Sequence, residues 1–527
     1  MTTSRTRAES GWSPLRYPAF RRWWLAQLTS NVGSWMQTVA AQWLMLSLTT
    51  SAVLVGAIQA TNLPVLLLSI PGGVLGDLVD RKRLVLFGQF VMLLAAAALG
   101  GLAAAGLVTP ALLLILLCGI GVGQGLTGPT ATTLQPELVP AEERSQAIAL
   151  GSVNQNLARA IGPAIGGALL AATSAAVVFF VNSLSFIAVL AAVALTTVPA
   201  RKSTLPREHA GSATRAGGRF VRNSPALIAI MVRAGAFSFF AAGVWALLPL
   251  VARHTLGLGS GGYGLLLGCV GIGALLGATV SPSLRRALSP RALVAVCAAT
   301  VAAPALVLAV SHAVALDGVV LVFTGAGWII ALGLFNASFQ SILPPWVKAR
   351  AMAYYLFVFQ GALGIGSLAL ATVAQATSVD TALIVLAAGL AISTAATWPL
   401  ALPKPGEIDV TPAEAMPLPD LEPTQGPVLI VVTYSLAPGS ETEFLAQRDK
   451  LRHFRGRTGG FDWRLYLDGE SPTHYVETYL VGSWEEHERQ HARATEHDQQ
   501  LLAHIDTLLA PGTHREPRHY LAVPAKS

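Results

Sequence analysis

The stretch Gly72–Leu86, GGVLGDLVDRKRLVL, decides how the chain is read. Asp77 and Asp80 are followed at once by Arg81, Lys82 and Arg83, and a long apolar run lies on either side. A helix needs about 20 apolar residues to cross a bilayer. Two such runs joined by a short charged turn describe two membrane helices and the loop between them at the lipid surface.

Outward from this loop the alternation repeats. Apolar segments lie near residues 23–48, 53–76, 84–106, 110–134, 147–171, 175–198, 225–252, 261–281, 291–312, 317–341, 352–375 and 380–402. Only 12% of the 527 residues are charged and 53% are hydrophobic, against about 25% charged in soluble domains. The mean hydropathy is +0.56. A soluble fold cannot bury that much apolar surface, so these segments predict twelve membrane helices. The net charge of +7 is read as basic loops rather than as a nucleic-acid surface. Arg and Lys gather in alternate connections: Arg81, Lys82 and Arg83, then Arg144, then Arg201, Lys202, Arg207, Arg215, Arg219 and Arg222, then Arg285, Arg286 and Arg291, then Lys348 and Arg350. The positive-inside rule places these loops, and both termini, in the cytoplasm. The basic N-terminus has no signal-peptide pattern. Cys118, Cys269 and Cys297 each sit in an apolar run and predict no disulfide.

The sequence divides into a cytoplasmic N-terminus (1–22), a first six-helix half (23–198), a Gly/Ser/Arg-rich cytoplasmic linker (199–224), a second six-helix half (225–402), a Pro-rich linker (403–427) and a tail (428–527). The halves echo each other. LVPAEERSQAIA from Leu138 and LPPWVKARAMAYY from Leu343 occupy matching loops and align Arg144 with Arg350, a repeat typical of secondary transporters. The tail reads β-α-β-β-α-β, with helices near 440–454 and 484–508, which predicts a ferredoxin-like α+β module.

Several polar residues share faces inside the apolar segments, where they are costly and tend to point inward. Asn31, Trp35, Thr38 and Gln42 lie on one face of the first helix, and Gln59 and Asn62 pair on the second. Gln124 lies on the fourth helix, Ser152, Gln155 and Arg159 on the fifth, and Trp328, Asn336 and Gln340 on the tenth; Trp245 and Gln360 add single points. These residues predict a neutral polar and aromatic cavity, with hydrogen bonding between helices as the alternative for each. Arg159, in mid-helix, needs a partner or an anionic substrate. The carboxylates Asp77, Asp80, Glu137 and Asp317 all lie near helix ends, so none is named as proton carrier.

GGVLGDLVDRKRLVL resembles the signature loop of the major facilitator superfamily, G-x-x-x-D-R-x-G-R-R/K. Gly73 with Asp77 puts Arg81 and Lys82 at the basic end; Gly76 with Asp80 and Arg81 keeps the D-R pair instead. The resemblance implies a charge latch between helices. On the fifth helix, Gly162-Pro163-x-x-Gly166-Gly167 resembles the antiporter motif of exporters, with Ala149 and Ala158 where that motif has Gly. Small residues there permit close helix approach, and Pro163 frees a carbonyl. Residues 15–402 resemble drug and siderophore exporters akin to the enterobactin exporter, also called transmembrane secretion effectors. The tail resembles a dimeric α/β-barrel module of the antibiotic-biosynthesis-monooxygenase type. The resemblance implies efflux of a small amphipathic compound by a proton antiporter in the cell membrane, with no cofactor and with a regulatory or dimerising tail. A membrane-tethered monooxygenase is the alternative, with Trp463, His474, Tyr475 and Trp484 as pocket candidates.

His487-Glu488-Arg489-Gln490-His491 matches the zinc-peptidase pattern H-E-x-x-H. Three features argue against it. Ala494 replaces the glycine that would end the helix. On a continuous helix, His497 would lie about 80° off the His487 direction. No Met follows Met416. His487 and His491 are therefore expected on a solvated helix face, and no metal is assigned.

Overall fold

The computed structural model describes residues 12–196, 210–344, 346–400, 402–403, 407–411, 413 and 426–522. Arg201, Lys202 and Arg207 of the expected first linker lie outside them, as does 414–425 of the second. The described chain is mostly helical. In order come α1 (Pro18–Leu48), α2 (Ala52–Ala60), α3 (Leu63–Leu78), α4 (Arg81–Ala104), α5 (Pro110–Glu137), α6 (Arg144–Ala172), α7 (Ala175–Ala194) and α8 (Ala210–Arg222). Then follow α9 (Pro225–Leu250), α10 (Ser260–Ala287), α11 (Pro290–Leu308), α12 (Val314–Ser341), α13 (Lys348–Ala376) and α14 (Val379–Ala396).

Local chemistry sets the helix starts. The Asp80 carboxylate accepts the Arg83 amide at 2.9 Å and opens α4. Thr109 and Ser289 cap α5 and α11, each with proline at the next position. Ten spans among the described residues are long and apolar enough to cross a membrane. Helices α1 and α6 are 31 and 29 residues long and fall outside that set. They carry Arg21, Arg22, Asn31, Gln37 and Gln42, and Arg144, Asn154, Gln155 and Arg159. Both pack into the bundle, α1 on α6 and α7, and α6 on α10.

The expected second helix is two, α2 and α3. Asn62 is the N-cap of α3, and Pro64 stands in its first turn; proline has no N–H to give the preceding turn, so the helix restarts there. The expected flexible linker also holds α8. This helix buries Ala216, Phe220 and Val221 on one side, a stripe that helical spacing brings together.

The described chain forms two compact units, the second comprising residues 206–231, 335–355 and 400–527. In that unit the tail contains β1 (Val428–Ser435), α15 (Glu441–Ala446), α16 (Arg448–Thr458), β2 (Phe461–Leu467), β3 (His474–Val481), α17 (Trp484–Ala492), α18 (Glu496–Asp506) and β4 (Glu516–Leu521). The sheet order is β2-β3-β1-β4, antiparallel throughout. Val428, Ile430, Val432 and Tyr434 alternate inward from β1 and meet Phe444, Leu451, Trp484 and Ile505. Leu429, Val431, Val476 and Leu480 occupy the other face and stay partly exposed.

Both expected tail helices are broken. Gln447 divides α15 from α16. Ala494 does not continue α17; Thr495 starts α18 through a capping box with Asp498. The tail also grips the other parts of its unit. Glu486 accepts from Arg219 of α8 at 2.9 Å and from Arg493 at 2.7 Å. The Arg493 guanidinium lies 4.7 Å from the Trp346 ring centre, and Trp346 meets Phe220 edge-on.

Glu477, fully buried on β3, accepts from Arg455 at 2.9 Å, Tyr434 at 2.6 Å and Trp463 at 2.8 Å. Burial pushes this carboxyl up, but the Arg455 charge and the hydrogen bonds outweigh it and hold it below its ordinary value. Glu477→Gln removes the charge opposite a buried guanidinium. It is expected to cost the tail about 3–5 kcal/mol, read as faster hydrogen exchange of the β1 and β3 amides in the full-length protein.

Candidate functional site

Three groups of sequence candidates can be placed. The first is the charged loop. The surroundings of Gly73 and the side chain of Asp77 lie outside the described residues. Asp80 is exposed and serves as the α4 cap rather than facing the loop's basic residues. Arg81 reaches Glu137, at the end of α5, at 3.1 Å. Lys82 donates to the carbonyls of Ala194, at 2.7 Å, and Thr196, at 3.2 Å. It thereby satisfies carbonyls that the end of α7 leaves open. The loop thus ties α4 to α5 and α7.

The second group is the glycine motif of α6, whose members face two partners. A Cβ on Gly162 would stand 2.6 Å from Trp35 Cβ, and one on Gly166 would stand 2.6 Å from Met36 Cα. Both glycines therefore bring α6 onto α1. A Cβ on Gly167 would stand 2.5 Å from Gly264 Cα on α10. Helix α6 runs on through Pro163, whose missing N–H is the one that would bond the Arg159 carbonyl.

The third group is the cavity candidates. Arg159 lies midway along α6, with its guanidinium 5.6 Å from the centre of the Trp35 ring, midway along α1. Asn31 donates to Asn154 at 2.8 Å, Asn154 donates to the Trp24 carbonyl at 2.8 Å, and Gln155 reaches Asn31 at 3.5 Å. From Trp35 an aromatic series continues to Trp245 (6.3 Å between ring centres), from Trp245 to Trp328 (5.9 Å), and from Trp328 to Phe359 (5.9 Å) and Phe237 (6.0 Å). Elements from both expected halves contribute to it.

The other candidates do not join this group. Gln42 donates to the Trp245 carbonyl at 3.1 Å and accepts from the Tyr263 hydroxyl, so it clamps α1 to α9 and α10. Thr38 bonds back to the Ser34 carbonyl. Asn62 is exposed and bonds back to the Gln59 carbonyl. Gln340 donates to Asn336 at 2.8 Å within α12. Gln124 is exposed, and Gln59 and Gln360 are half-buried. Asp317 is buried in the first turn of α12.

Asn154, Tyr263 and the Gln37–Asn182 bond of 2.7 Å between α1 and α7 are missed by the sequence reading. Polar residues inside apolar runs were the available signal. Their partners lie far away in sequence.

The tail histidines differ from expectation. His487 is 1% exposed and His491 is half-buried, so neither is a surface residue. Their rings stand 4.8 Å apart, and the third member of the cluster is His519, 4.7 Å from His487, rather than His497, which is exposed. Trp484 packs on the same cluster. No group of three or more His, Cys, Asp or Glu among the described residues could hold a metal ion. The monooxygenase candidates fall in or beside the tail core, His474 excepted. Trp484 and Tyr475 are core residues, Trp463 binds Glu477, and His474 is exposed.

The fold resembles solved transporters. A bacterial homologue of the human lysosomal transporter Spinster, in an inward-facing, unoccupied conformation, matches with a TM-score of 0.61 at 15% identity, over 73% of this chain and 97% of that one. A mutant of the nucleoside transporter NupG matches at 0.59 and 11% identity, over 72% of this chain and 99% of that one. The class so defined is a multi-pass membrane protein of the transporter fold. The chain belongs to the transmembrane secretion effector family, whose model matches residues 9–526. It is 30% identical over 162 residues to the Staphyloferrin A transporter of Staphylococcus aureus (strain NCTC 8325 / PS 47), covering 30% of this chain. It is 28% identical over 214 residues to the uncharacterized MFS-type transporter YfiS of Bacillus subtilis (strain 168), covering 38% of this chain. The alignments span 41% and 49% of those two proteins.

Two outcomes follow from this geometry. Gly167→Leu is expected to force α6 off α10 and shift the α6–α10 distance outward, measured between spin labels on the two helices. In the tail, burial pushes His487 and His491 from 6.5 down to about 4, assisted for His487 by the charge of its neighbour His491 and for His491 by that of Arg455. The folded state therefore holds them neutral. Their contribution is complete above pH 6.5 and is lost as the pH falls toward about 4, where the unfolded chain binds more protons. Thermal unfolding of the tail should drop across that window, and His487→Phe should flatten the pH dependence.

Proposed function

We propose that the chain is a secondary transporter that exports a small amphipathic compound by alternating access, as a proton antiporter in the cytoplasmic membrane. In this reading α1 and α6 complete twelve spans, their polar faces turned to the transport path. The termini, the charged loop and the tail are cytoplasmic, following the distribution of Arg and Lys. The observation that carries the reading is where the two halves touch. Gln42 bonds to Trp245 and Tyr263, Gly167 meets Gly264, Ser51 bonds to Gln375 at 2.7 Å, and Ser367 bonds to the Gly56 carbonyl at 3.0 Å. All of these contacts fall toward the helix ends that this topology puts outside. The aromatic series begins just inside them. Contacts of this kind suit a carrier closed on its outer side; the Spinster homologue is named for an inward-facing conformation.

Arg81 and Glu137 then belong to the latch of the cytoplasmic side. The tail is a ferredoxin-like module, a reading supported by its strand order, and its role is regulatory or dimerising. Through Glu486 it holds Arg219 and Arg493, and Leu429, Val431, Val476 and Leu480 on its open sheet face suit pairing with a second copy.

Inverted membrane vesicles with an imposed acid-inside pH gradient test the whole reading. Hydrophobic drugs and siderophores should accumulate only in vesicles that contain the protein, and collapsing the gradient should abolish the uptake. Glu486→Ala should alter the rate at least about twofold without abolishing uptake, since it removes only one ion-pair site of the tail. Equal accumulation with and without the protein would overturn the transport reading.

A further inference from the structure

We propose, building on the transport reading, that Arg159 and Trp35 form the binding site for an organic anion. The acid group would lie against the Arg159 guanidinium and the apolar body along Trp35, Trp245 and Trp328. Arginine remains protonated at any working pH. In a membrane interior an ionised group is expensive and is normally found paired. Arg159 has no carboxylate and no hydrogen-bond partner among the described residues; its one recorded contact is the face of Trp35.

The helices around it supply no acid. α1, α6, α9, α10 and α13 contain no Asp or Glu at all. On α12, Asp317 sits in the first turn, far along the helix from Trp328. Stacking on an indole compensates only part of the cost of desolvating a guanidinium. The remaining donors of the planar group are free to take a carboxylate in the two-pronged geometry that arginine favours. One turn before Trp35 and Arg159, Gln155 donates to Asn31 and Asn31 donates to Asn154. They bring no charge and do not compete for the anion.

The body of the ligand is specified by the neighbouring rings. The series Trp35–Trp245–Trp328 runs from α1 through α9 to α12 with centre separations of 6.3 and 5.9 Å. It offers an aromatic or otherwise flat apolar body contacts on both halves of the molecule, beginning at the cation. A bound anion would neutralise Arg159 and bridge the halves in one step. That is how a ligand favours one arrangement of a carrier over another. An organic cation would meet like charge at the first contact. A neutral compound would leave the guanidinium uncompensated.

The experiment uses full-length protein in nanodiscs and three probes of one shape: 2-naphthoate, 2-naphthamide and 2-naphthylmethylammonium. Binding is read by quenching of tryptophan fluorescence. The expected order is naphthoate tightest, with naphthamide about tenfold or more weaker, the scale of one charge-assisted hydrogen bond. Arg159→Gln should erase that preference while leaving naphthamide unchanged. Arg159→Lys should restore part of it, and Trp35→Phe should weaken both naphthoate and naphthamide. The proposal is overturned if the ammonium probe binds as well as naphthoate, if naphthoate shows no saturable binding, or if Arg159→Gln leaves its affinity intact. Proteoliposomes separate this result from the transport reading. Gradient-driven movement of the neutral or cationic probe, unimpaired by Arg159→Gln, leaves transport standing and removes the anion site. Arg159-dependent binding of naphthoate with no movement of any probe does the reverse.

Discussion

Hydrocarbon offers a polar group no partner except another part of the protein. That constraint shapes the helical body of this molecule. It requires long helices, so that each amide bonds within its own segment. It makes helix contacts depend on small residues, because lipid supplies little hydrophobic drive to hold helices together. Gly162 and Gly166 place α6 directly on α1, and Gly167 with Gly264 lets α6 touch α10 backbone to backbone. Side-chain hydrogen bonds such as Asn31 to Asn154 and Gln37 to Asn182 join one helix to another.

The same constraint gives Arg159 its meaning. A guanidinium at the middle of α6 that meets only an indole face among the described residues is costly in the absence of ligand. The surrounding helices hold it there because α6 is pinned on both sides by its glycines. One motif therefore has two consequences. It sets the separation of α1, α6 and α10, and it fixes the position of the cation that faces the aromatic series.

The tail obeys a different rule, that of a water-soluble core. There two carboxylates are paired: buried Glu477 with Arg455, Tyr434 and Trp463, and half-buried Glu486 with Arg219 and Arg493. Buried His487 packs against Trp484 and His519, and burial lowers the pKa of His487 and of half-buried His491 beside it. The H-E-x-x-H spacing is what one turn of α17 produces when successive histidines face the same core.

Sequence alone determined the membrane-spanning body, the small-residue contact stripe of α6, the polar face of α1 and the β-α-β-β-α-β order of the tail. Each is a periodic or compositional property carried by neighbouring residues. Other features depended on partners distant in the chain. Arg81 reaches Glu137 at the end of α5, and Gln42 becomes a clamp because Tyr263 and Trp245 arrive beside it. The break before Thr495 was local but went unseen, because Ala494 is a good helix former and the Thr495–Asp498 capping box outweighs it. That His487 is buried, and that Arg159 stands over Trp35 without a counter-charge among the described residues, was decided only by tertiary structure, because burial and pairing are properties of the surfaces that meet.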